Sequence, residues 1–310
     1  MERLMVINAA KKRRRIKPAR AGFMCFALVP AFALFIVFNI LPTLDVFRMS
    51  LYRWSGIGGD MKFVFFGNFK EMFANKVFWD SFGHTVFLML AATALTMFSA
   101  LVFAFILSKS RVRGKAFFRV VFYIPNILSV IVIAAIFANV FVGEGGLFNG
   151  ILELAGLKNL AAVQWLSNKK TVLGCILFVM VWQAVGYYMI MYIAGMDGIS
   201  ESIYESASID GATGAVKFFK ITLPLTWEII RVTVTLFITG SINLSFLLVK
   251  AMTNGGPDNA SDVLLNTMYY EAYGNSNYGY GMAIGAFMFV FTFGLSLVIS
   301  RLTSSESNVI

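Results

Sequence analysis

Polar and apolar positions along this chain are bunched into blocks. Long apolar runs are separated by short polar connections. Six runs reach the ~20 mainly apolar residues that a bilayer-spanning helix needs. They are Gly22–Leu44, Phe82–Leu107, Phe117–Val142, Val172–Met196, Ile229–Val249 and Gly281–Ser300. The pattern predicts an all-α, polytopic membrane protein with six transmembrane helices. The first run is too long for a secretory h-region and has no small-residue cleavage site behind it, so a retained anchor is expected.

Composition sharpens this picture. Of 310 residues, 58% are apolar and 14% charged, against roughly a quarter charged in soluble domains. The mean hydropathy is +0.76. These values exclude a disordered chain and an ordinary soluble enzyme. A net charge of +10 raises the question of an acidic polymer as partner, and the distribution of charge answers it. Residues 1–20 form a basic arm with Arg3, Lys11, Lys12, Arg13, Arg14, Arg15, Lys17 and Arg20 against Glu2, which leaves +7 of the +10 in this arm. A basic face with interleaved aromatics is absent, so no nucleic acid is expected as partner.

The arm abuts the first apolar run, as a cytoplasmic flank does under the positive-inside rule. Lys109, Arg111, Arg113 and Lys115 make the second connection basic as well. Both clusters imply cytoplasmic N- and C-termini, with the loops at about 45–80, 143–171 and 250–280 facing outward.

No acidic residue falls within the six runs, which counts against an intramembrane proton path. Arg119, Arg231, Lys250 and Arg301 sit at run ends, where long side chains snorkel. Cys25 and Cys175 lie in separate runs and read as packing thiols. His84 is the sole imidazole and reads as a polar residue at the outer end of the second run. No nucleophile–base set, metal cluster or phosphate-cradling GxxxxGK[ST] is present, so the chain is expected to be a non-catalytic subunit that binds no metal.

One connection breaks the charge rule. The inner loop 197–228 carries Asp197, Glu201, Glu205, Asp210 and Glu228 against Lys217 and Lys220. Ser202 and Glu205 have capping-box spacing, which predicts a helix start. Asp210-Gly211 predicts a turn with glycine at positive φ. A second amphipathic stretch, Val216–Ile221, is expected to stop before Pro224, because proline also restricts Leu223. Small residues Ser206, Ala207 and Ala212 suit close approach by another surface. The same features fit a solvated helical hairpin with no partner.

This segment resembles the EAA loop of ABC-importer permeases, whose pattern is E-A-A-x3-G-x9-I-x-L-P. Glu205, Gly211, Ile221, Leu223 and Pro224 match its spacing, with Ser206 in place of the first alanine. Further stretches resemble the carbohydrate branch of that family. They are Gly114 with Phe118-Arg119 and Tyr123-Ile124-Pro125, Trp165-Leu166, Trp182 with Gly186-Tyr187-Tyr188, and Thr253-Asn254-Gly255-Gly256-Pro257. His84-Thr85 stands where that branch more often has Asn-Thr.

The resemblance implies a type I ABC-importer permease fold, divided as follows. Residues 1–20 are the arm, 21–80 the first helix and outer loop, 81–302 the permease core with its EAA coupling loop 197–228, and 303–310 a cytoplasmic tail. It implies one half of a heterodimeric pore for sugar or oligosaccharide import in a bacterial or archaeal cytoplasmic membrane. The partners would be a second homologous permease subunit, two ATPase subunits that hold ATP and magnesium, and an extracytoplasmic sugar-binding protein. The chain itself would bind no cofactor.

Glu205, Ser206, Ala207, Asp210, Gly211, Ala212 and Pro224 would form the coupling loop. Gln183, Tyr187, Ser241, Asn243 and Ser245 would line the substrate path, and Gly255, Gly256 and Pro257 form an outer turn, read first as a tight turn and second as a contact for the binding protein. Glycerol phosphate or another small polar solute is the alternative cargo, and a secondary transporter the alternative class.

Overall fold

The computed structural model describes residues 18–56, 58–109 and 113–303, which are almost wholly helical. The basic arm up to residue 17, Arg111, the tail after Thr303 and the side chain of Cys25 lie outside the described residues. Below, the near end of the bundle carries the connection after Lys109 and the loop 197–228, and the far end is opposite.

The first span joins helix α1 (Pro18–Phe35), a π turn (Ile36–Ile40) and α2 (Leu41–Met49). Its first part stands apart from the bundle, with Phe26–Leu41 exposed throughout, and α2 packs on the last long helix. Phe47 meets Phe289 edge-on at 5.5 Å at the far end. A two-residue ribbon, β1 (Tyr52–Arg53) with antiparallel β2 (Lys62–Phe63), and α3 (Gly67–Ala74) lie over the far end. Helix α4 (Lys76–Lys109) then runs to the near end.

The third apolar run is not one helix, contrary to the sequence expectation. It splits into α5 (Lys115–Ile127) and α6 (Val130–Val140), bent by 98°. Leu128 and Ser129 are extended, with ψ of 146° and 132°. Pro125, one turn upstream, removes a helix donor. Apolar content is blind to such a break, because both halves are equally apolar.

Short helices α7 (Leu147–Leu154) and α8 (Lys158–Ala161) follow at the far end. Helix α9 (Val172–Asp197) is the centre of the fold, buried from Val172 to Met196 along the face that packs α4, α5 and α13. The near-end loop comprises α10 (Glu201–Ile209), α11 (Gly214–Lys217), a π turn (Phe218–Thr222) and α12 (Leu223–Leu225). Helices α13 (Trp227–Met252), α14 (Leu264–Tyr269) and α15 (Tyr278–Thr303) complete the bundle.

The loop also departs from expectation at Pro224. The chain stays helical through it, with Leu223 at φ −59° and ψ −48°. A π turn leads into it, since the Leu223 N–H bonds back to the Phe218 carbonyl rather than to that of Phe219. The first span uses the same device ahead of Pro42, where the Leu41 N–H reaches the Ile36 carbonyl.

Two contacts fix α9. At Gly186 a Cβ would overlap the Phe122 carbonyl, so the backbones of α9 and α5 touch directly, as small residues allow in membrane bundles. Lower down, the buried Tyr192 hydroxyl bonds Thr233 Oγ1 of α13 at 2.7 Å. Valine at Gly186 is expected to cost about 1–3 kcal/mol through overpacking and to lower the melting temperature of the detergent-solubilised chain. Alanine at Gly294, where a Cβ meets nothing within 4 Å, is expected to leave it unchanged or raise it.

Candidate functional site

Helix α13 presents one bare stripe, Leu236, Gly240, Asn243 and Leu247, spaced as one helical face. Two cavities flank it. One, of about 270 Å³, brings Gln183 and Tyr187 of α9 together with Asn126, at the end of α5, and Gly240. The other, of about 430 Å³, brings Asn243 and Thr239 against Phe289, Thr292, Phe293 and Ser296 of α15. Each cavity takes in one residue of the stripe, Gly240 or Asn243, so stripe and cavities make up one groove region along α13. Side-chain hydroxyls, three carboxamides (Asn126 and Gln183 on one flank, Asn243 on the other) and ring faces line it, and none of its lining residues is charged.

Of the five residues proposed for the path, Gln183, Tyr187 and Asn243 border this groove. Ser241 and Ser245 do not. They lie on the opposite, buried face of α13, donating to the Ile238 and Ile242 carbonyls at 2.8 Å each. Sequence reasoning named the polar residues of spans four and five but missed Asn126, Thr292 and Ser296. Asn126 beside Pro125 was the available signal, a carboxamide at a helix break.

The near-end loop is built around the α10 terminus. Its N-cap is Ser200, not Ser202, so the expected capping box does not form. Ser202 lies inside the helix and its carbonyl accepts from Ser206 Oγ at 2.9 Å. At the other end Gly211 takes φ +78°. The Gly211 N–H reaches the Ser208 carbonyl at 3.1 Å and the Ala212 N–H the Ala207 carbonyl at 2.8 Å. This is a Schellman termination, and it explains why an Asp-Gly-Ala sequence sits there.

Tyr204 and Ala207 turn inward, with the Tyr204 hydroxyl bonding Thr222 Oγ1 at 2.8 Å. Ser202, Glu205, Ser206 and Ile209 make a bare face spaced i, i+3, i+4, i+7. Ile209 is an 87% exposed apolar residue that the sequence reading did not single out. Pro224 is exposed behind the π turn. Phe218 anchors the loop on Phe105 of α4, with ring centroids 5.1 Å apart.

Asp197 ends α9 three residues before the α10 cap. Its carboxylate lies 3.7 Å from Arg119 of α5 and accepts from Ser108 Oγ at 2.6 Å. Lys115 Nζ donates to the Ser108 carbonyl at 3.0 Å. An acid at a helix C-terminus and a cation opening α5 both oppose their helix dipoles, and their mutual pairing offsets this. Half-exposed pairs of this kind contribute under ~1 kcal/mol, so the cluster matters for holding α5 to α9 rather than for stability.

At the far end, Gly255 takes φ +91° and starts the Gly255-Gly256-Pro257 turn. The expected outer docking loop 250–280 is only partly at the surface, because Ser261–Leu264, Asn266 and Thr267 fold back and are buried. Asp262 accepts from Asn266 Nδ2 at 2.7 Å and Thr267 Oγ1 at 2.8 Å. Two residues whose role the sequence left open secure this segment to α4. His84 Nδ1 meets the Asp262 carbonyl at 2.9 Å, and Thr85 Oγ1 accepts the Leu264 N–H at 2.9 Å. On the exposed side, Lys169 lies 2.9 Å from Asp258, and its hydrogen bond and charge hold that carboxyl below the usual range.

Replacing Thr85 by valine would strand the buried Leu264 N–H. It is expected to destabilise the chain by about 1–3 kcal/mol, while serine is tolerated. Thermal unfolding of the two purified variants checks this.

Comparisons place this architecture. The profile of the family described as binding-protein-dependent transport system inner membrane component matches residues 100–304. A probable ABC transporter permease protein of Bacillus subtilis, YurN, is 34% identical over 87% of this chain and 92% of its own. The diacetylchitobiose uptake system permease protein NgcF of Streptomyces coelicolor is 29% identical over 94% of this chain and 86% of its own. The fold also matches a chain of a bacterial ABC transporter that imports the acidic polysaccharide alginate. The TM-score is 0.82 at 19% identity, covering 94% of this chain and 98% of that one. The chain is a multi-pass membrane protein of the binding-protein-dependent transport system inner membrane component family.

Proposed function

We propose that this chain is one half of the translocation pore of an ATP-driven oligosaccharide importer, with its near end in the cytoplasm. The observation that carries this reading is the α10 loop. It offers a bare face with Glu205 and Ile209, closes on a Schellman glycine, and continues directly from α9, whose other side lines the groove. Such a helix suits a cleft in a cytoplasmic ATPase. Two ATPase subunits holding ATP and magnesium, a second homologous permease half and an extracytoplasmic sugar-binding protein complete the assembly. Closure of the ATPases would displace α10, and α9 with α5 would carry that displacement to the groove as rigid-body gating.

Oligosaccharide is favoured as cargo by relatives such as NgcF and the trehalose/maltose transport system permease protein of Thermococcus litoralis. The groove agrees, since sugars call for hydroxyl-matching polar groups and ring faces for their C–H surfaces. A glycerol phosphate would call for a cation, and no lining residue of the groove supplies one.

In proteoliposomes holding the full complex, the loaded binding protein is expected to stimulate ATP hydrolysis. Stimulation by no sugar would contradict the proposal. Valine at Gly211 forces a side chain into left-handed backbone at about 1–2 kcal/mol, and is expected to reduce stimulation at least tenfold while the complex still assembles. Arg119→Asp and Asp197→Arg are each expected to lower uptake, and the double swap to recover it. Gln183→Ala is expected to raise the KM for uptake severalfold, whereas Ser241→Ala, on the buried face, is not.

A further inference from the structure

A cavity of about 540 Å³ at the far end takes no part in the groove or the coupling loop. Its wall is aromatic. Phe137 of α6, Phe141 at its C-cap, Phe148 of α7, Trp165, and Phe178 of α9 line it, with Lys170 also in the lining. The rings contact one another in sequence. Phe141 lies 5.5 Å from Phe148, Phe148 5.1 Å from Trp165, and Phe137 6.0 Å from Phe178.

A polar frame holds this wall from behind. Buried Asn149 donates to the Gly143 and Val163 carbonyls at 2.7 and 3.0 Å and accepts from the Trp165 indole. Thr171 Oγ1 donates to the Trp165 carbonyl at 2.6 Å. The cavity is therefore shaped before anything enters it. Gly174 leaves its side open, since a Cβ there would meet nothing within 4 Å.

Depth and charge indicate the occupant. The lining of α6 and α9 comes from the far ends of two membrane-embedded helices, so the mouth opens near the headgroup level. Beside it, α7 bares Leu147, Ile151 and Leu154, the last 91% exposed, as a helix lying in the interface does. The local charge is positive. Lys169 is engaged with Asp258, while Lys170 has no ion-pair partner among the described residues and stands at the N-terminus of α9, the positive end of its dipole.

We propose that this cavity binds an anionic phospholipid of the outer leaflet, with an acyl chain against the five rings and the phosphate on Lys170. Phosphatidylglycerol is the simplest such lipid.

The test uses the full chain in phosphatidylcholine vesicles doped with dibrominated phosphatidylglycerol or dibrominated phosphatidylcholine. Bromine quenches nearby tryptophan, and the difference from a Trp165→Phe chain isolates the Trp165 signal. Half-quenching is expected at severalfold less phosphatidylglycerol than phosphatidylcholine. Lys170→Gln should cut that preference about fivefold, the contribution of one cation near an anionic surface. Native mass spectrometry of the chain released from mixed vesicles gives a second readout, one retained phosphatidylglycerol that the glutamine variant loses. Equal quenching by the two lipids, or a preference untouched in Lys170→Gln, would overturn the proposal. So would a Trp165 that neither lipid quenches, the outcome expected if a protein partner seals the cavity.

Discussion

At Gly186 the central helix presents bare backbone to the carbonyl of Phe122, and no side chain fits between them. The rest of the structure depends on this crossing. A membrane bundle has no hydrophobic driving force between its helices, so close packing and interhelical hydrogen bonds must hold it. Here α5 is pressed onto α9 over its C-terminal half, and the turn after Pro125 must deflect, because a straight third span would leave the contact. The packed end of α5 puts Asn126 beside Gln183 and Tyr187, and the deflection after it directs α6 toward the aromatic far-end wall.

The same pairing of α5 with α9 is secured at the near end by Arg119 and Asp197. One direct backbone contact and one weaker polar cluster tie these two adjacent helices together at two levels. The near end of α9 runs through Gly198–Ser200 into α10, and its middle is one wall of the groove. The loop is in turn fastened to α4 by Phe218 and stiffened by the Tyr204–Thr222 bond. These contacts link the bare face of α10 to the groove through packed elements.

Much of this was legible in the sequence, for physical reasons. Apolar runs announce spans because lipid tolerates little else, and Asp210-Gly211-Ala212 announces a helix end because only glycine takes left-handed backbone cheaply. Other features were not legible. The break at Leu128–Ser129 hid because both halves are apolar. The helix continuing through Pro224 hid because the π turn that leads into it leaves no composition signal. Ser241 and Ser245 looked like path residues because polar groups occur on both the buried and the bare faces of α13, so their spacing does not say which face opens. The buried outer segment was read as a surface loop, since neither His84 nor Thr85 reveals alone that its partner is the backbone at Asp262 and Leu264.

The central claim is that α5 and α9 move as one body with the coupling helix. Distances between spin labels on exposed residues test it most directly in the reconstituted importer, with and without ATP. Ile209 on α10 and Ile127 at the end of α5 are 87% and 69% exposed, and Phe293 on α15 is also exposed. The account predicts that the Ile127–Ile209 distance stays constant through the cycle while Ile209–Phe293 changes. An Ile127–Ile209 distance that changes as much as Ile209–Phe293 would contradict it.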